Sequence, residues 1–175
     1  MKYEETIDFF MSWTIRCADV IYESISEKKV HDYSKKILNF LVSEEANIEQ
    51  DDCFQYIKVW KQCRNVDIWV ELEIGQDRKK YAILIENKMY SSIRPNQLEH
   101  YKKIAEEYYA GEDEYKLLFI FLRPDYELEL QDKSQYNFQK LGYRYLNLEQ
   151  LKDQLPKEKT DNELFDEFWY KWYEV

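Results

Sequence analysis

Cysteine is scarce in this 175-residue chain. Cys17, Cys53 and Cys63 are an odd three without a CxxC pair, so neither a disulfide framework nor a zinc ribbon is expected and the thiols read as buried and reduced. Histidine is scarcer still: His31 and His100 have no spacing that would make a metal-ligand or general-base pair, and each reads as a surface residue. No apolar run approaches the ~20 residues of a membrane span. The N-terminal MKYEETIDFFMSW has acids where a signal peptide needs basic residues. A cytoplasmic protein without a membrane partner is expected. Repeats, low-complexity tracts and Gly/Ser linkers are also missing, with only three glycines and three prolines. One domain over residues 1–175, long enough to bury a core without staples, is therefore expected.

Positive charge is in deficit as well. A net charge of −10 argues against non-specific coating of nucleic acid, because phosphate affinity comes largely from Lys and Arg releasing counterions. The distribution is uneven. Between Gln76 and Lys103 seven basic side chains stand against three acidic ones, a net of +4, while the acids gather at 44–52, 106–114 and 125–132. A locally basic segment in an acidic chain is the pattern of a focused phosphate site.

What the chain does contain is a clear change of period. Ile7, Phe10, Met11, Thr14, Ala18 and Ile21 predict one amphipathic helix, and Tyr33, Ile37, Phe40 and Leu41 a second, ending at Glu44-Glu45-Ala46-Asn47. From Phe54, FQYIKVWKQ and NVDIWVELEI read as strands, the latter with Asp67, Trp69, Glu71 and Glu73 on one face. Gly75-Gln76-Asp77 turns into KKYAILIENK, apolar on both faces as a central strand should be. Arg94-Pro95 opens a helix whose stripe is Leu98, Tyr101, Ile104, Ala105 and Tyr108, and KLLFIFLR then follows as a parallel neighbour strand. Residues 131–138 read as loop, GYRYL as a last strand, and LNLEQLKDQL and ELFDEFWYKWY as closing helices. The class is α/β, with a central mixed sheet of about five strands flanked by helices.

The chemistry concentrates at Asp67, at Glu86-Asn87-Lys88 and at Gln97 with Tyr101 four residues on. Hydrolysing a phosphodiester requires a nucleophilic water, neutralisation of the phosphoryl oxygens and support for the leaving alkoxide, all within the reach of bound Mg²⁺. Mg²⁺ prefers oxygen ligands and keeps several waters, so Asp67, Glu86 and the Asn87 carbonyl suffice as a cage, and Mn²⁺ can substitute. The two-residue strand period sends Glu86 and Lys88 to one face, where the ammonium can orient the attacking water and screen the phosphate. Gln97 and Tyr101 stack on the next helix: Gln97 can bond a metal-bound water or a phosphate oxygen, whereas Tyr101 serves equally well as core. Glu71 and Glu73 share Asp67's face and read as solvated.

DIWVEL followed by ILIENKMYSSIRPNQLEHY resembles the PD-(D/E)XK nuclease superfamily, and the similarity extends through YKLLFIFLRP and GYRYLNLEQL, roughly Phe54 to Leu155. The resemblance implies a restriction-endonuclease-like fold, Mg²⁺ dependence, nucleic acid as partner, DNA first, and metal or catalytic roles for Asp67, Glu86, Lys88 and Gln97. Val66 stands where members often have proline. Many members add an acid from the preceding helix as a ligand, and Glu45 or Glu44 would fill that place. Three readings remain open at this point: a metal-dependent nuclease of defence or repair, a catalytically silent module of the same fold that binds nucleic acid or protein, and a structural α/β domain whose acids are incidental. The aromatic tail FDEFWYKWYEV raises the further expectation of a homodimer or larger complex.

Overall fold

The computed structural model describes residues 3–24, 28–44, 46, 48, 52–112, 114–124 and 128–171. Helices α1 (Tyr3–Cys17) and α2 (Lys28–Val42) precede a three-stranded meander of β1 (Phe54–Cys63), β2 (Val66–Ile74) and β3 (Lys79–Asn87). Helix α3 (Gln97–Tyr108) then carries the chain over to β4 (Tyr115–Leu122). Short α4 (Glu129–Gln135) and α5 (Phe138–Leu141) lead to β5 (Tyr143–Leu146) and α6 (Leu148–Lys152), and α7 (Glu163–Asp166) runs into a π-helical turn, Glu167–Lys171.

The five strands lie in the order β1-β2-β3-β4-β5. β1, β2 and β3 pair antiparallel, whereas β3, β4 and β5 pair parallel, as a helical crossover requires. This is the mixed α/β sheet the periodicity predicts. β3 is central, and from Tyr81 to Asn87 every residue is buried, because helices cover both of its faces. On one face Ile83 and Ile85 pack with Ile7, Met11 and Ile15 of α1 and Ile37 and Leu41 of α2. On the other, Ala82 and Leu84 meet Leu98, Tyr101 and Ala105 of α3.

Several local expectations give way to tertiary structure. α1 stops at Cys17, and Asp19 starts a 3₁₀ turn by accepting from the Ile21 amide at 3.1 Å while its other oxygen accepts from the Ile57 amide at 2.8 Å. Ile21 is consequently exposed rather than part of the α1 stripe. Pro95 sits in the turn before α3, not at its first position; Asn96, left-handed at φ 58°, precedes Gln97, a conformation asparagine tolerates better than most residues. The segment 131–138, read as loop, is helical to Gln135, because Asp132 is anchored in the interior and Lys133 pairs with Glu129 one turn back. His31 is buried, its Nδ1 2.8 Å from the Cys17 carbonyl oxygen, so the surface reading fails for it and holds for His100. Of the thiols only Cys17 is buried; Cys53 and Cys63 are half-buried.

The aromatic tail is occupied by its own chain as far as it is described. Phe168 stacks on Phe10 at 4.4 Å between centroids, and the Trp169 indole donates to Thr14 Oγ1 at 3.0 Å. Residues 172–175 of that tail lie outside the described residues. Among the described residues no helix is long and apolar enough to cross a membrane.

Candidate active site

The antiparallel register of β2 and β3 pairs Ile68 with Ile85, so the next pair outward is Asp67 and Glu86. Trp69 on β2 and Ala82 and Leu84 on β3 face α3, and by alternation Asp67 and Glu86 project to that same side. The Lys88 amide donates to the Leu122 carbonyl at 3.0 Å, extending the parallel ladder one residue beyond β3. Lys88 returns to the face of Glu86, its Nζ 3.2 Å from Glu86 Oε1. From α3, Gln97 Nε2 donates to the same Oε1 at 2.6 Å and lies 3.1 Å from the Tyr101 hydroxyl, while Gln97 Oε1 accepts from the Arg94 amide at 3.1 Å. Asp67, Glu86, Lys88, Gln97 and Tyr101 thus line one cavity of about 640 Å³. Tyr101 satisfies both of its readings, being buried in the α3-side core and bonded to Gln97.

Burial decides the electrostatics. Glu86 is only 2% exposed, and desolvation, followed by the neighbouring Asp67 charge, pushes its carboxyl up to about 8 despite Lys88. Asp67 is likewise raised by burial, against the opposing pull of the Asn87 amide, Gln62 and Lys88. A third acid, Asp8 on α1, is pushed up to about 7 by burial and then by Asp67. Glu86 and Asp8 therefore tend to hold protons near neutrality and Asp67 ionises less readily than a free carboxyl, a cluster whose ionised form an added cation would favour.

The sequence expectations meet this geometry unevenly. The Asn87 side chain turns away from the cavity to α1, its Nδ2 donating to Asp8 Oδ1 at 2.9 Å and to the Glu4 carbonyl at 3.2 Å. Only its backbone is left to serve the cavity side. Glu44 pairs with Arg144 on β5 at 3.2 Å and is not among the residues lining this cavity; Glu45 lies outside the described residues. The acids brought close to the ExK segment come from α1 instead: Asp8, and Glu4, whose Oε1 accepts from the Met89 amide and Ser91 Oγ at 3.1 Å each. Their signal was an acid pair four residues apart beside the apolar stripe of that helix. Glu71 and Glu73 are half-buried and partnered rather than solvated, taking hydrogen bonds from the Tyr109 hydroxyl at 2.8 Å and Arg78 Nε at 2.6 Å.

The basic segment also dissolves on folding. Arg78, Lys79 and Lys80 lie at the far end of β3 from Glu86, and Arg78 and Lys80 pair with Glu73 and Glu114. Its remaining contributions at the cavity are Lys88 and Arg94. The β1–β2 hairpin tip, unmarked in the sequence, supplies Gln62 and Asn65 to the cavity wall, and Gln62 Nε2 donates to Asp67 Oδ1 at 2.8 Å.

The donor set suits a hard divalent cation. Glu86 Oε2 is buried and has no hydrogen-bond partner among the described residues, an unsatisfied acceptor of the kind that a cation relieves. Among the described residues no group of three or more His, Cys, Asp and Glu side chains is placed to hold a metal. Mg²⁺, which retains several waters, is content with fewer protein ligands than zinc.

A mixed five-stranded sheet with an aspartate and an ExK segment converging at the end of its central strand is the restriction-endonuclease-like fold. The chain belongs to the PD-(D/E)XK nuclease superfamily, whose family profile matches residues 8–173. No curated protein and no solved structure gave a significant match.

Proposed function

We propose that this chain is a Mg²⁺-dependent nuclease hydrolysing phosphodiester bonds in DNA, with Mn²⁺ able to replace Mg²⁺. The observation that carries the reading is the approach of Lys88 Nζ to within 3.2 Å of Glu86, beside Asp67, on the wall of a cavity of about 640 Å³. Asp67, Glu86 and the Asn87 carbonyl would hold the ion, which supplies charge neutralisation at the phosphoryl group and support for the leaving alkoxide. Lys88 orients the attacking water and screens the scissile phosphate. Gln97, tethered to the Arg94 amide, fixes the rotamer of Glu86. Water oxygen bonds to phosphorus, the bond to the leaving oxygen breaks, and that oxygen leaves protonated. Gln62, Asn65, Arg94 and Asn96 rim the same cavity with hydrogen-bonding groups suited to a nucleic-acid backbone.

The test is incubation of the purified protein with single- and double-stranded DNA and RNA in Mg²⁺ or Mn²⁺, beside Asp67→Ala and Lys88→Ala. Cleavage of DNA by the unaltered protein, lost in Asp67→Ala and reduced about 100-fold or more in Lys88→Ala, is the expected result. Cleavage undiminished by either substitution comes from a contaminant and removes the proposal. Salt-dependent DNA binding without cleavage, indifferent to Lys88→Ala, would establish a binding module instead.

A further inference from the structure

Residues 88–96 join β3 to α3 outside any helix or strand, yet they carry Lys88 at one end and lead to Gln97 at the other. Among the described residues no sheet ladder holds them beyond the Lys88 amide. Their anchor is Arg123, the residue after β4, which is 0% exposed. Arg123 Nε and Nη2 donate to the two carboxylate oxygens of Asp132 on α4, each at 2.8 Å, and Asp132 Oδ2 also accepts from the Tyr145 hydroxyl at 3.0 Å. The remaining arm crosses to the turn: Arg123 Nη1 donates to the carbonyls of Met89 and Ser91, both at 2.9 Å. From the opposite side Glu4 takes the Met89 amide and the Ser91 hydroxyl, and the Tyr136 hydroxyl donates to the Ile93 carbonyl at 3.2 Å.

We propose that Arg123 is a positioning residue for the reaction: through the Met89 and Ser91 carbonyls it fixes the turn that follows Lys88, and so holds the ammonium against Glu86. The inference rests on the nuclease reading above. Stability alone does not call for this arrangement, since a buried ion pair gains little over apolar residues of the same volume. What the guanidinium adds is direction. Its planar fork engages a carboxylate on one edge and two carbonyls on the other, and a lysine ammonium has no such rigid geometry.

The experiment compares Arg123→Lys with the unaltered protein by amide hydrogen exchange and by steady-state DNA cleavage, each also in a Lys88→Ala background. We expect exchange of residues 89–93 to accelerate about tenfold or more while β3 and β4 keep their protection. The kcat should fall about 100-fold, as misplacement of a reacting group by an ångström can do, with KM within about twofold. In the Lys88→Ala background Arg123→Lys should lower the residual rate no further, because both changes remove one contribution. Independent, multiplying losses in that background, or unchanged exchange at 89–93, would overturn the proposal. Should Arg123→Lys fail to fold, the double variant Arg123→Met with Asp132→Leu leaves no unpaired buried charge and carries the same measurements. If the unaltered protein cuts nothing, the nuclease reading fails, and the exchange data alone decide whether Arg123 anchors the turn.

Discussion

Without a divalent ion, this protein should lose stability as the pH rises through neutrality, opposite to the usual behaviour of carboxylates. Asp8 is pushed up to about 7 and Glu86 to about 8, both first by burial and then by the Asp67 charge. In the unfolded chain the same groups titrate near ~4, so between about pH 4 and about pH 7 the native state holds protons that the unfolded state has released. Stability is full below the unfolded value and falls with a slope of about 1.4 kcal/mol per pH unit for each such group, ending as pH passes the folded value. Asp8 alone then accounts for about 4 kcal/mol by about pH 8, a large share of the roughly 5–15 kcal/mol available to a domain. Glu86 and Asp67 add a further loss that they titrate jointly. A bound cation reverses the trend by favouring the ionised carboxylates, so its stabilisation should grow with pH. Urea unfolding from about pH 5 to about pH 8, in chelator and in excess Mg²⁺, reads both slopes. Asp8→Asn, a neutral isostere that leaves Asn87 a partner, should flatten the chelator curve. A chelator curve that is level or rises with pH, or an Asp8→Asn curve as steep as the original, would refute the reasoning.

Other outcomes follow from the same contacts. Lys88→Ala should reduce cleavage by about 100-fold or more yet bind Mn²⁺ at least as tightly by calorimetry, because it removes a competing cation from beside Glu86. Gln62→Ala should tighten Mn²⁺ affinity about tenfold, since the amide that occupies Asp67 Oδ1 is worth about 1.4 kcal/mol as a competitor; weaker binding would make Gln62 a helper instead. Trp169→Ala should destabilise the fold by about 3–5 kcal/mol in urea, because the ring is 3% exposed and its indole is bonded to Thr14.

The strand pattern made the sheet legible in advance. Alternation in VDIWVELEI and a doubly apolar KKYAILIEN marked a strand with one polar face beside a central one, and the tight turn between them put Asp67 and Glu86 on adjacent strands. Lys88 and Gln97 followed from periods of two and of one helical turn. Long-range partners were beyond periodicity. That α1 rather than the end of α2 brings acids to the ExK segment depends on how the helices pack across the sheet, which places Asp8 against Asn87 and Glu44 against Arg144. Arg123 was hidden because an arginine after an apolar strand looks like a solvated strand end; only its fully buried fork betrays its work. The apparent basic patch failed for a geometric reason, since residues 78–80 and 88 are close in sequence but at opposite ends of one extended strand.

β3 changes the sense of the sheet, antiparallel to β2 on one side and parallel to β4 on the other. The carboxyl end of β3 therefore coincides with the β1–β2 hairpin tip, and Asn65 of that tip and the 88–96 connection frame the cavity without contributing a strand to the sheet. Those two short segments can therefore change in sequence as removable jaws on a fixed vice, while the strands that carry Asp67 and Glu86 stay as they are.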